Sequence, residues 1–115
     1  MTGQTLAHAV ERAAELLTPD VLSTLGPAHG AVVAEQAAGL LEYWPDDERD
    51  TPLVEDRLVE MVQEHFHDLF IDTTWPACPR HPNHPLWYRD GAWWCARDGV
   101  AIARLGELSM RQAAG

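Results

Sequence analysis

The first seventy residues carry the apolar spacing of helices. Apolar positions recur at intervals of three and four, which places them on one face of a helix. The first such segment is predicted to end near Thr18, because Thr18-Pro19-Asp20 has the form of an N-cap followed by proline at the first helical position. A short helix would then run to Gly26. The apolar stripe of the first segment is formed by Leu6, Val10, Ala13 and Leu17.

Two longer helices follow in the predicted order. One spans about residues 28–44, and the acidic, proline-bounded stretch 45–52 separates it from the other as an exposed loop. Thr51 is the expected cap of the later helix, with Pro52 at its first position. The apolar stripe of the earlier helix is Val33, Ala37, Leu40, Leu41 and Trp44. The later helix places Val54, Leu58, Met61, Val62, His65 and Leu69 on one side, opposite Glu60, Gln63, Glu64, His67 and Asp68.

The pattern changes after Asp72. Two Asp-Gly pairs, at 90–91 and 98–99, lie between β-favouring runs, and Asp-Gly is a strong signal for a hairpin turn. They predict strands near 86–89, 92–95 and 100–104 in a small antiparallel meander. The expected fold is therefore α+β: a bundle of three to four helices in residues 1–72, followed by a three-stranded β module in 73–115 that packs on it as one compact unit.

Charge is divided unevenly between these two parts. Residues 1–72 hold 15 acidic residues and 3 arginines, whereas residues 73–115 hold 3 acidic residues and 5 arginines. The chain as a whole carries a formal charge of −10, which disfavours nucleic acid as its partner and leaves a partner protein as the expectation. No apolar run is long enough for a membrane span, and the N-terminus lacks the features of a signal peptide. A soluble, cytoplasmic monomer or homodimer is expected.

The stretch CPRHPNHPL, residues 78–86, repeats a metal-capable side chain before each proline. Pro79 and Pro82 each occupy the second position of a four-residue turn, where their fixed φ is favoured. Closed turns over 78–81 and 81–84 would gather a thiol and two imidazoles, and a second thiol follows on the second predicted strand. Two sulfurs and two imidazole nitrogens favour tetrahedral zinc, and a closed set of four protein ligands indicates a structural site. The predicted ligands are Cys78, His81, His84 and Cys95.

CPRH and CARDG, joined by a short hairpin, resemble the two knuckles of a zinc ribbon over about residues 78–99. In that family each knuckle has the form Cys-x-x-Cys/His, and this sequence departs from it at Asp98. The fourth ligand is therefore either His84 or Asp98. We favour His84, because imidazole suits zinc better in a closed thiolate site and the Asp-Gly turn already explains Asp98. A disulfide between the two cysteines is the alternative to a metal. The whole chain also resembles small actinobacterial proteins, a likeness that implies no activity.

Three functions remain open at this point. The first is a non-catalytic protein that is stabilised by zinc and acts through protein contacts. The second is a zinc-dependent hydrolase with three protein ligands and a bound water. The third is single-stranded nucleic-acid binding by a surface of the β module. Neighbouring strand residues point to opposite faces, so Trp93 and Trp94 cannot both enter one small core. The candidate interaction surface comprises Trp75, Trp87, Trp93, Trp94, Arg89 and Arg97.

Overall fold

The computed structural model describes residues 6–43, 53–69, 73–81 and 83–109. The predicted α+β class is confirmed, with three α-helices and one three-stranded antiparallel sheet in these residues. Among them, no helix combines the length and apolar character needed to span a bilayer. The helices are α1 (Leu6–Leu25), α2 (Ala31–Tyr43) and α3 (Val54–Asp68), with a short 3-10 turn at Pro27–His29; the strands are β1 (Trp87–Arg89), β2 (Ala92–Cys95) and β3 (Val100–Arg104).

Helix α1 runs unbroken through Pro19, so the predicted end at Thr18 is wrong. Proline inside a helix costs about 3 kcal/mol, because it removes one backbone hydrogen bond and crowds the preceding turn. Beyond Pro19, however, the helix buries Val21 completely and packs Leu25 against the core. Burying such side chains contributes about 1.5–3 kcal/mol each, which offsets the penalty. Thr18 is not a cap: its hydroxyl donates to the carbonyl of Ala14 at 2.7 Å.

The predicted stripes of α2 and α3 are only partly buried. In α2, Leu41 is 40% exposed, and Trp44 lies outside the described residues, as do the loop 45–52 and the expected cap at Thr51 and Pro52. In α3, Gln63 is buried although it was assigned to the polar side, and Leu69 is 60% exposed although it was assigned to the apolar side. The reason is that α3 contacts β1 as well as the other two helices, which widens and shifts its buried face. That face consists of Val54, Leu58, Val59, Val62, Gln63 and Phe66.

The sheet follows the predicted meander, with the strand order β1-β2-β3. The turn at 90–91 has the expected conformation, since Asp90 and Gly91 have φ of 50° and 81°. Trp87 pairs with Trp94 across β1 and β2, and the register between β2 and β3 shifts at Trp93/Trp94. The three strand predictions are confirmed to within one residue.

Helices and sheet share one hydrophobic core. Phe66, Trp75 and Trp93 form a row of edge-to-face aromatic contacts, with ring centroids 5.0 Å and 5.6 Å apart. Trp75 and Trp93 are 1% and 0% exposed, so their assignment to an interaction surface is wrong. They are buried because each indole N–H finds a partner on α1: Trp75 donates to the hydroxyl of Thr24 at 2.7 Å, and Trp93 donates to Asp20 at 2.7 Å.

Asp20 is the central polar contact between α1 and the β module. Its side chain is fully buried and accepts hydrogen bonds from Trp93 Nε1 at 2.7 Å, Gly106 N at 2.7 Å and Leu108 N at 3.0 Å. Burial raises the pKa of this carboxyl and outweighs the three N–H bonds, which lower it. Gly106 has φ of 91°, and a Cβ at this position would lie 2.8 Å from the carbonyl oxygen of Leu16. Only glycine therefore lets the chain approach α1 closely enough to reach Asp20.

Gln63 makes the corresponding contact on α3. Its amide nitrogen donates to the carbonyl of Trp75 at 3.2 Å and to that of Leu86 at 2.8 Å. His67, one turn further along α3, donates from Nε2 to the same Trp75 carbonyl at 2.8 Å. These bonds hold both ends of the segment 75–86 against α3, which positions the candidate metal ligands that lie between them.

Candidate metal centre

The loop 78–84 is closed by three backbone hydrogen bonds. The carbonyl of Cys78 accepts from the amide of His81 at 3.2 Å, and the carbonyl of His81 accepts from the amide of His84 at 2.9 Å. Both hydrogen bonds of the predicted four-residue turns are thus present. The amide of Cys78 donates in turn to the carbonyl of His84 at 3.0 Å, which brings the two ends of the loop together.

The second cysteine lies at the end of β2, where a tight turn leads into β3. The amide of Gly99 donates to the carbonyl of Cys95 at 2.8 Å, and the amide of Asp98 points at Cys95 Sγ at 3.3 Å. A backbone N–H directed at sulfur is a contact that a negatively charged thiolate accepts more strongly than a neutral thiol. The turn therefore places a hydrogen-bond donor beside the Cys95 sulfur.

A small cavity separates the loop from this turn. Its volume is about 140 Å³, and all four residues predicted as ligands line it. The two cysteines are free thiols and are only 1% and 2% exposed, whereas His84 is exposed. The remaining lining residues are Pro85, Trp87, Ala96 and Arg97.

Three potential ligand atoms lie closest together. Those of His81, Cys95 and Asp98 are all within 4.8 Å of one another, and such a group could hold a metal ion. Among the described residues, neither Cys78 nor His84 joins this group, although both face the same cavity. The sequence thus named every residue of the group, but it ranked Asp98 below His84, and the structure places Asp98 next to His81 and Cys95.

Asp98 also contacts two basic side chains. Its Oδ2 lies 3.1 Å from His81 Nε2 and 2.9 Å from Arg80 Nε. The hydrogen bond from His81 holds the pKa of Asp98 below its usual range, and the nearby guanidinium of Arg80 acts in the same direction. Arg80 was assigned no role from the sequence, because the two residues of this ion pair are far apart in the chain and follow no local pattern.

The donor atoms in and around the cavity are sulfur, imidazole nitrogen and carboxylate oxygen. Thiolate and imidazole together suit zinc-type ions, whereas calcium and magnesium take oxygen ligands almost exclusively. The side chains present therefore fit a small, borderline-soft cation. An ion held here would join the loop 78–84 to the turn between β2 and β3.

The remaining residues of the predicted interaction surface differ in how far their side chains are exposed. Trp87 is 53% exposed, and Trp94 is half-buried beneath the guanidinium of Arg89, which lies 5.7 Å from the ring centroid. The indole N–H of Trp94 also donates to the carbonyl of Arg89 at 3.1 Å. Arg97 is exposed beside the metal cavity. With Trp75 and Trp93 in the core, four of the six named residues reach the surface.

Comparison with known proteins matches the chain to no protein-family model, no curated protein and no solved structure. The chemistry of the described residues therefore carries the functional argument.

Proposed function

We propose that the chain is a zinc-stabilised protein that acts non-catalytically, through contacts with a partner protein. Cys78, His81 and Cys95 would hold the ion together with either His84 or Asp98. The resemblance of this segment to a zinc ribbon agrees with the proposal. The role of the ion would be structural: it would link the loop 78–84 to the turn that follows β2.

One observation carries the proposal, namely that both cysteines and both histidines of the predicted set line one small cavity. Four protein ligands leave no open position on a tetrahedral ion, and an open position is what a catalytic zinc site requires. The near-complete burial of both thiols supports a site closed to solvent. In the described part of the chain, the β module shares the core of the helices and encloses none of its own, so a bound ion would contribute directly to the folding of its loop and turn.

Metal content tests the proposal first. Protein purified without chelators is expected to contain about one zinc ion per chain, because a full set of soft ligands retains zinc tightly. Cys78→Ser and Cys95→Ser should each abolish the bound zinc and lose the β-sheet signal while α1–α3 remain helical. Elemental analysis by mass spectrometry and circular dichroism measure the two effects. Wild-type protein that is folded and free of zinc would overturn the proposal.

The fourth ligand is tested by removing each candidate separately. His84→Asn and Asp98→Asn are compared for zinc affinity in competition with a chromogenic chelator. The variant that lacks the true fourth ligand should bind zinc at least 100-fold more weakly than the wild type. The other variant should lose much less zinc affinity. Asp90→Asn is the matched control, because it makes the same change in the other Asp-Gly turn, away from the cavity.

Cobalt substitution distinguishes the structural site from a catalytic one. We expect intense visible absorption of a four-coordinate cobalt ion with thiolate ligands, unchanged by small anions. A weaker spectrum that shifts when azide or cyanide is added would mean that a water occupies one position, and it would favour a zinc-dependent hydrolase.

A further inference from the structure

A second and larger cavity lies between α3 and β1. Its volume is about 430 Å³, within the range of about 300–1,000 Å³ that is typical of ligand sites. Trp87 lines both this cavity and the metal cavity, so the two are neighbours across one indole ring. No residue proposed to bind the metal lines the larger cavity, among the described residues. It is therefore a separate site, and we call it the α3–β1 cavity.

One wall of the α3–β1 cavity is acidic. Asp56, Glu60 and Glu64 follow one another at intervals of four along α3, so they form a single row of carboxylates. Like charges at this spacing repel one another and destabilise a helix. Arg57 pairs with Glu60 at 3.5 Å, but both side chains are 54% exposed, and such a pair contributes little. No arginine lines the cavity, among the residues that the structure describes. The row thus keeps a net negative charge.

The opposite wall is aromatic. Trp87 is 53% exposed and is the largest of the exposed hydrophobic side chains that the structure describes. Tyr88 lies beside it, and its hydroxyl is already occupied: it donates to Glu55 and accepts from the amide of Gly91 at 3.1 Å. The ring of Tyr88, not its hydroxyl, is therefore what remains for a ligand. An aromatic face opposite a row of carboxylates is the arrangement that attracts an organic cation.

Hydrogen bonds fix the position of α3 relative to β1 before any ligand arrives. Gln63 and His67 line the cavity and are held by their hydrogen bonds to the carbonyls of Trp75 and Leu86. The bond between Tyr88 and Glu55 joins β1 directly to the first turn of α3. Because the two elements are already held together, binding costs little backbone freedom, which favours affinity.

We infer that the α3–β1 cavity binds an arginine side chain presented by a basic segment of a partner protein. A guanidinium matches both walls: its planar face stacks on the indole of Trp87, and its N–H groups pair with the carboxylates of Glu60 and Glu64. Lysine offers a compact, strongly hydrated charge that stacks less well. The inference rests on the partner-binding half of the proposed function and is independent of the metal.

The test measures binding of a capped hexa-arginine peptide to the full chain by calorimetry at low salt. The double variant Glu60→Gln/Glu64→Gln should bind about tenfold more weakly or worse, which corresponds to a loss of at least about 1.4 kcal/mol. Trp87→Ala should lose a similar factor, and Trp87→Phe should restore most of it by keeping an aromatic face. Capped hexa-lysine should bind the wild type more weakly than hexa-arginine does.

A matched control distinguishes binding in the cavity from attraction by the overall negative charge of the chain. Glu11→Gln/Glu15→Gln removes two exposed carboxylates at the same spacing on α1, away from the cavity, and should change affinity less than twofold. Equal weakening by both double variants would overturn the inference, as would equal binding of the two peptides or no binding at all. Zinc is measured in the same samples. Normal zinc without peptide binding would defeat only this inference, and peptide binding without zinc would defeat only the metal proposal.

Discussion

The helical part and the β module are held in place by different kinds of contact. The helices bury long apolar stripes, and most of their stabilisation is spread over many interchangeable aliphatic side chains. The strands contain only three, four and five residues, and their module is attached to the helices by directional hydrogen bonds from a few polar residues. Those residues are Asp20 and Thr24 on α1 and Gln63 and His67 on α3.

Size explains the difference. A small sheet has too little apolar surface to fix its own position, and the β module buries two indoles, Trp75 and Trp93, which are the largest fully buried side chains among the described residues. Each buried indole carries an N–H that must find an acceptor, and both acceptors are on α1. Hydrogen bonds depend on direction, whereas aliphatic packing tolerates substitution at constant volume. The β module should therefore be much more sensitive than the helices to conservative substitutions.

The sharpest test of this difference compares two conservative changes one turn apart on α1. Asp20→Asn keeps the shape of the side chain but replaces an acceptor oxygen with an N–H₂ group facing N–H donors. We expect it to lower the free energy of unfolding by about 2–4 kcal/mol. Leu17→Met changes a fully buried aliphatic residue and should cost less than about 1.5 kcal/mol. Urea denaturation followed by circular dichroism measures both. Equal losses of unfolding free energy in the two variants would show that the β module is no more sensitive to conservative substitution than the helices.

A smaller effect is expected on α3. Gln63→Leu removes the donor to Leu86 and one of the two donors to Trp75, leaving a buried carbonyl unsatisfied. The expected loss in the free energy of unfolding is about 1–3 kcal/mol. Gln36→Leu on α2 is the control, because within the described part of the chain Gln36 makes only a long, 3.4 Å contact to His65, and it is half-buried. If the control proves as costly as Gln63→Leu, the bonds to the segment 75–86 do not determine stability.

The smallest effect concerns pH. Burial raises the pKa of Asp20, so the folded chain holds this proton more tightly than the unfolded chain does. The contribution of Asp20 to stability therefore decreases as the pH rises from the ordinary carboxyl range through the raised pKa. Asp20→Asn lacks this titration, and the stability difference between wild type and variant should narrow as the pH rises.

Urea denaturation of both proteins at a series of pH values between 4 and 7 provides the measurement. Titrations of groups that do not interact with Asp20 are common to both proteins and cancel in the difference. A difference that widens with pH would show that the three N–H bonds outweigh burial and that the folded pKa is lowered.

Local signals predicted the strands and the hydrogen-bonded turns of the loop 78–84 well. The Asp-Gly pairs and the X-Pro steps of 78–84 act within four residues, so the turn at 90–91 and the hydrogen-bonded turns of the loop follow from sequence alone. The periodicity also located the helices, but Pro19 suggested a break that burial of Val21 overrides, and Gln63 and Leu69 were assigned to the wrong sides of α3.

Long-range polar contacts could not be predicted in this way. Asp20 accepts hydrogen bonds from residues 73, 86 and 88 positions further along the chain, and no sequence pattern near Asp20 predicts these partners. The same holds for Gln63, whose polar character placed it on the solvent side of α3. Trp75 and Trp93 were assigned to the candidate surface together with Trp87 and Trp94, whereas the structure encloses both in the core that the sheet shares with the helices.

The close approach of the backbone at Gly106 to α1 restricts which residue type can occupy this position. With Leu16 so close, methyl is already too large a substituent, and the positive φ independently penalises every other residue type. Gly39, by contrast, has open space around it. Side chains can therefore be accommodated at Gly39. At Gly106, a substitution by any other residue would push the C-terminal turn away from α1.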